Sequence, residues 1–134
     1  MRRSNKKKWN EIGLRHAVNG LWQAFKTQKN LKIQAIAVIA VIILAIVLST
    51  SEIENAVLAV TIGLVISAEL VNTAIEKAVD ISCNDILSKE LKKNPINDNA
   101  KLAKDISAGA VLFTALIAVV VGIIIFMPKI IAII

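Results

Sequence analysis

Glu69-Leu-Val-Asn72-Thr-Ala-Ile-Glu76-Lys-Ala-Val-Asp80 decides how this 134-residue chain is read. The residues before it, Ala56 to Ala68, carry no charge and have the composition of a membrane helix. A carboxylate and an amide then arrive while the apolar pattern is still running. An ionisable side chain at membrane depth is costly, so such residues face other helices or water and mark function. Helical geometry puts Glu69, Asn72, Glu76 and Asp80 on one face, at offsets of 0, 3, 7 and 11. Three acids on one stripe point to a metal or proton-transfer site.

The rest of the composition supports a membrane setting. Hydrophobic residues make up 56% of the chain, and the mean hydropathy is +0.68. That is too apolar for an ordinary soluble domain and predicts an all-α integral membrane protein. One crossing takes about 20 residues, so residues 1–134 form a single domain of three spans with a polar segment to spare. The basic start leads into a long polar stretch, not a short apolar core with a cleavage site, so no secretory signal is expected. Cys83 is the one cysteine, which excludes an intrachain disulfide and reads as an incidental thiol. The net charge of +6 flanks apolar spans, a distribution suited to anionic headgroups. The absence of Tyr argues against a base-stacking surface, so no nucleic-acid partner is expected.

Residues 1–8, with Arg2, Arg3, Lys6, Lys7 and Lys8, form a basic arm expected near the membrane surface. An N-terminal interfacial amphipathic helix is predicted over 9–32. Leu14, Val18, Leu21, Trp22 and Phe25 would turn to lipid, opposite Arg15, His16, Gln23 and Lys26. Three transmembrane helices follow, over 33–50, 56–80 and 106–127. The turn between the first two, Ser49 to Asn55, has no Lys or Arg. Gly63 and Ser67 have a spacing that permits close helix approach. Residues 81–104 form a Lys-rich connection in which Asn94-Pro95 breaks any helix. The third span starts with the small residues Ser107-Ala-Gly-Ala110, which favour tight packing, and is expected to end at Pro128.

Nine Lys and Arg fall in residues 1–32, none in the first turn and six from Lys77 to Lys104. The positive-inside rule therefore places the N-terminus and the second connection in the cytoplasm. The acidic stripe gains a direction from this topology. Glu69 lies about 20 Å from the outer start of its apolar run, in the inner half of the bilayer. Glu76 and Asp80 approach the cytoplasmic surface. Such a stripe suits a reaction between a lipid headgroup and a cytosolic reagent. Glu69 could take a proton from a lipid hydroxyl, while Glu76 and Asp80 could hold a hard cation such as Mg²⁺. Lys104-Asp105 could neutralise phosphate charge and add a further carboxylate. The sequence holds no Gly-x-x-x-x-Gly-Lys loop, no Gly-x-Gly-x-x-Gly and no His-Arg-Asp loop. His16, the one histidine, reads as a polar-face residue.

These residues resemble the signature of the prokaryotic diacylglycerol kinase family, which includes undecaprenol kinases. The match is carried by Glu69-Leu-Val-Asn72-Thr73-Ala74-Ile75-Glu76-Lys-Ala-Val-Asp80, by Ala103-Lys104-Asp105-Ile-Ser-Ala-Gly109-Ala-Val111 and, more loosely, by His16-Ala17-x-x-Gly20-Leu21. The resemblance covers the whole order of surface helix and three spans. It implies a homotrimeric, multi-pass kinase of the bacterial plasma membrane that transfers the ATP γ-phosphoryl group to a lipid alcohol with Mg²⁺. Glu69 would then be the general base and Glu76 a metal ligand. Asn72 and Asp80 would support the nucleotide, with Lys104 and Asp105 beside its phosphates and His16 at a nucleotide-contacting position. Undecaprenol is expected over diacylglycerol because Lys104-Asp105-Ile-Ser-Ala-Gly-Ala-Val resembles the undecaprenol-kinase branch. The family's usual Glu-Arg-Asn before the first span is here Gln28-Lys29-Asn30, so Gln28 would offer Mg²⁺ a carbonyl oxygen without charge. The connection also lacks the usual Glu-Tyr-His. Two rivals are a small cation or drug transporter, which would be expected to have four spans, and a catalytically inactive lipid-binding relative.

Overall fold

The computed structural model describes the backbone of residues 2–85 and 95–133 and the side chains of residues 13–82 and 98–133. The Lys-rich insertion with Lys89, Lys92 and Lys93, the Cys83 thiol and the side chains of the basic arm lie outside the described residues. The described backbone forms four α-helices: α1 (Arg2–Thr27), α2 (Lys29–Val47), α3 (Glu52–Asp85) and α4 (Pro95–Ile131). The last three contain windows long and apolar enough to cross a membrane, Lys29–Val47, Glu52–Ser82 and Asp98–Ile131.

The helix ends follow local chemistry more than hydropathy. The first helix, expected as a surface helix over 9–32, starts at Arg2 and stops at Thr27. Gln28 is the sole residue between it and α2, in extended conformation with φ −91° and ψ 123°. One extended residue is enough to turn the chain, and Lys29 to Lys32 thereby join the first membrane helix. Leu31, in the first turn of α2, is fully buried. Pro95 opens α4, where a missing N–H costs nothing and the fixed φ suits a first turn. At the other end α4 runs on through Pro128 to Ile131 instead of stopping there. The N–H of Ala132 still reaches the Pro128 carbonyl at 3.1 Å, so one proline within a turn of the end does not stop the helix.

The turn between α2 and α3 is built from hydrogen bonds. Ser49 takes a left-handed conformation, φ 50°. Its N–H reaches the Ile46 carbonyl at 3.2 Å, and the Thr50 N–H reaches that of Ala45 at 3.1 Å. This pair is the Schellman closure of a helix C-terminus, here without the usual glycine. Ser51 then caps α3. Its N–H donates to Glu54 Oε2 at 2.6 Å, and the Glu54 N–H donates to Ser51 Oγ at 3.3 Å. This is a capping box, Ser-x-x-Glu.

Helices α3 and α4 share the longest interface and run antiparallel, with an ion pair near each end. Lys129 Nζ lies 3.1 Å from Glu54 Oε2, and Lys104 Nζ lies 2.7 Å from Asp80 Oδ1. The two pairs stand about 39 Å apart along α3 and about 38 Å apart along α4, at 1.5 Å per residue. That matches the roughly 40–45 Å between opposite headgroup layers.

The apolar core is small and sits toward the end where Glu54 lies. Leu58, Ile125 and Phe126 are buried there, packed on Val41, Leu44 and Ala45 of α2, on Leu48 just after it and on Val121 of α4. An open groove of about 570 Å³ between α2 and α3, lined by Val38, Val41, Ala45, Leu58 and Ile62 among others, lies at the same end. Most other Ile, Val and Leu side chains are exposed, including Ile46, Val60, Leu112 and Ile124. The accessible surface is 10818 Å², against roughly 6,900 Å² for a soluble monomer of this mass. The exposed apolar share of that surface suits contact with lipid or other copies of the chain. Gly63 and Ser67 are exposed, and a Cβ on Gly63 would meet nothing within 4 Å, so the expected close approach is not used within the chain.

Candidate active site

The polar site forms where α3 meets α4, at the end opposite the apolar core. The periodicity of Glu69, Asn72, Glu76 and Asp80 carries them down one face of α3, in the second half of its membrane-length window Glu52–Ser82. Glu69 is 2% exposed, Asn72 5% and Thr73 9%. Glu69 stands about 25 Å from the start of α3, at 1.5 Å per residue, and about 16 Å from Asp80 by the same measure.

One contact from α4 and one within α3 fix this face. The Ser107 hydroxyl donates to Asn72 Oδ1 at 2.6 Å, and the Asn72 Nδ2 donates to Glu76 Oε1 at 3.2 Å. A carboxylate only accepts, so Asn72 must turn its amino group to Glu76 and its oxygen to Ser107. Just beyond, Lys104 Nζ donates to Asp80 Oδ1. The Lys104 and Asp80 side chains are 37% and 50% exposed. A pair this exposed is screened by solvent and weak, so exchanging the carboxylate for a phosphate would cost the fold little.

Among the described residues, three buried side-chain polar atoms lack a partner: Glu69 Oε2, Thr73 Oγ1 and Gln34 Oε1. Leaving a polar atom buried and unpaired costs about 1–3 kcal/mol. Glu69 and Thr73 sit four residues apart on α3, one helical turn. Both oxygens can accept a hydrogen bond from an added donor.

The other expected site residues stand apart from this network. His16 and Asp105 are exposed and Gln28 is half-buried. Among the described residues, no hydrogen bond or ion pair joins any of the three to the stripe, and no group of three or more His, Cys, Asp and Glu comes close enough to hold a metal. Sequence reasoning read Ser107 as a small packing residue, whereas it is a buried hydrogen-bond donor. The signal was available: a hydroxyl inside the apolar part of a membrane helix, three residues after Lys104. Nothing in the sequence singles out Thr73 or Gln34, because their significance lies in having no partner.

The model of the prokaryotic diacylglycerol kinase family matches residues 15–126, which include the whole stripe and Lys104 to Ser107. The chain is 39% identical over 114 residues to the undecaprenol kinase of Bacillus subtilis, covering 85% of each chain. It is 38% identical over 121 residues to the diacylglycerol kinase of Synechocystis sp., covering 90% of this chain and 64% of that longer protein. No solved structure matches the chain at a significant level. The chain belongs to the prokaryotic diacylglycerol kinase family, a family of phosphotransferases that act on lipid alcohols.

Proposed function

We propose that the chain transfers the γ-phosphoryl group of ATP to a membrane lipid alcohol, with undecaprenol favoured over diacylglycerol. The observation that carries the reading is Glu69, a buried carboxylate with an unpartnered oxygen, on the same helical face as the Asn72–Glu76 pair. In the step, the lipid hydroxyl oxygen attacks the γ-phosphorus. Its proton passes to Glu69, the bond from the γ-phosphorus to the bridging oxygen breaks, and ADP leaves. Phosphoryl transfer requires mainly positioning and charge neutralisation, so a site without a phosphate-binding loop is adequate. Asn72 and Asp80 orient the nucleotide end, Lys104 and Asp105 lie beside the phosphates, and His16 approaches the nucleotide from the surface helix.

The donor set suits Mg²⁺. This ion takes one or two carboxylates and fills its shell with phosphate oxygens and water, so Glu76 with the Gln28 carbonyl suffices. When bound, Mg²⁺ neutralises charge on the β- and γ-phosphates. The N-terminus faces the cytoplasm of a bacterial plasma membrane, and α1 lies in the interface with Leu14, Val18 and Trp22 toward lipid. A homotrimer fits the uncovered apolar surface and would let copies share a site.

Transfer of label from γ-³²P-ATP to a panel of polyprenols and diacylglycerols tests the reading. Label in undecaprenol well above that in diacylglycerol is the expected result. Label in diacylglycerol alone would reverse the acceptor preference. No label in any lipid would favour the inactive relative, a reading that Gln28 in place of a carboxylate keeps alive.

Gln28 supplies a prediction of its own. Gln28→Glu adds a charge at the metal and should lower the Mg²⁺ concentration for half-maximal rate by about 10-fold or more, the scale of outer-ligand effects on metal affinity. An unchanged Mg²⁺ titration would remove Gln28 from the metal site.

A further inference from the structure

We propose that Ser107 is a positioning residue that sets the orientation of Asn72 and, through it, of the Glu76 carboxylate. The proposal rests on the reading of Glu76 as a metal ligand and adds a residue of the third membrane helix that acts behind it.

The geometry is a directed chain. Ser107 is buried, 7% exposed, and its single hydroxyl proton has two acceptors near it. Asn72 Oδ1 is at 2.6 Å and the Lys104 carbonyl at 2.9 Å. A serine in a helix commonly turns its hydroxyl back to a carbonyl of the preceding turn, and the Lys104 contact is of that kind. It does not account for the site. If the proton stayed on Lys104, the buried Asn72 oxygen would face a hydroxyl oxygen with no hydrogen between them. Turning the Asn72 amide over would place its oxygen against the Glu76 carboxylate. With Ser107 donating to Asn72, the Ser107–Asn72 and Asn72–Glu76 contacts each have one donor and one acceptor, and it is the exchangeable Lys104 carbonyl contact that gives up the proton. The hydroxyl thereby selects one of two amide orientations, and the selected one points an N–H at Glu76.

An oriented N–H on a ligating carboxylate occupies one lone pair and leaves the others turned toward the ion. Outer partners of this kind hold ligand geometry and typically change metal affinity 10–100-fold when removed. The same contact crosses from α4 to α3, so it also ties Glu76 to the helix that carries Lys104. The metal end and the phosphate-side cation are thus set against each other by one hydroxyl.

The test compares Ser107→Thr with Ser107→Val. The two side chains have the same shape and differ in the hydroxyl, so any cost of a β-branched residue at a buried position is common to both. Binding of Mn²⁺ as a probe ion, in the presence of a non-hydrolysable ATP analogue, is followed by electron paramagnetic resonance on the full chain in lipid. S107T is expected to bind Mn²⁺ within about threefold of the unaltered protein. S107V should bind it about 10-fold more weakly, the low end of the outer-partner range. In turnover, S107V should raise the Mg²⁺ requirement while recovering most of the rate at saturating Mg²⁺. Equal Mn²⁺ binding by S107T and S107V would overturn the proposal and leave Ser107 a packing residue. E76Q is the control: if it binds Mn²⁺ as tightly as the unaltered protein, the metal reading of Glu76 fails and the role of Ser107 falls with it. Weakening by E76Q without a Thr–Val difference overturns the Ser107 proposal alone.

Discussion

Glu69→Gln should reduce phosphoryl transfer to the lipid by about 10²–10⁴-fold, the range contributed by a positioned general base. The substitution keeps the shape of the side chain and a hydrogen-bonding amide, so it removes proton acceptance without opening a cavity. Glu69 Oε2 has no partner to lose, and the only change inside the helix pair is the replacement of one terminal oxygen by an amino group. Helix content and thermal stability in detergent or lipid should therefore stay close to those of the unaltered protein. Raising Mg²⁺ or ATP should not restore the rate, because the defect lies in the transfer step. A Glu69→Gln protein that turns over within threefold of normal would sink the base assignment.

Glu76→Gln should fail in a different way. Glu76 is half-buried and already takes one hydrogen bond from Asn72. Its replacement removes charge from the metal site and sets an amide where a carboxylate receives the Asn72 N–H. With Gln28 uncharged, Glu76 is the one anionic protein ligand in the proposed pair, so the loss should exceed the 10–100-fold typical of outer-shell changes. The rate should recover in part at high Mg²⁺, which separates this variant from Glu69→Gln. An Mg²⁺ titration indistinguishable from that of the unaltered protein would show that the ion sits elsewhere.

The fold was largely legible because hydropathy and charge act over whole helices. Three apolar runs gave three membrane helices, and the stripe at offsets 0, 3, 7 and 11 appears on one face as periodicity requires. Helix ends were less legible because single residues set them. Gln28 divides surface helix from span by taking an extended conformation, and no composition window resolves one residue. Pro128 was read as a stop, yet the last turn of a helix tolerates it. Within the site, the acids were visible from their cost at membrane depth, whereas Thr73 was not and Ser107 gave only an ambiguous signal, since a hydroxyl in a membrane helix often serves only its own backbone. The roles of His16, Gln28 and Asp105 came from resemblance, and within one chain these residues stand apart from the network.

The ion pairs at the two ends of α3 and α4 bear on hydrophobic mismatch. Each pair is weak and partly exposed, but together with the buried Ser107–Asn72 hydrogen bond they favour one register of α3 on α4, so a bilayer of different thickness is met by tilting the pair as a unit or by deforming the lipid. Either response costs a fraction of a kcal/mol per Å. Ser107, Asn72 and Glu76 then travel together, and their mutual distances are insulated from the host membrane. Thickness would instead change how deep Glu69 sits relative to the headgroups, and with it how far an acceptor hydroxyl must move to meet it.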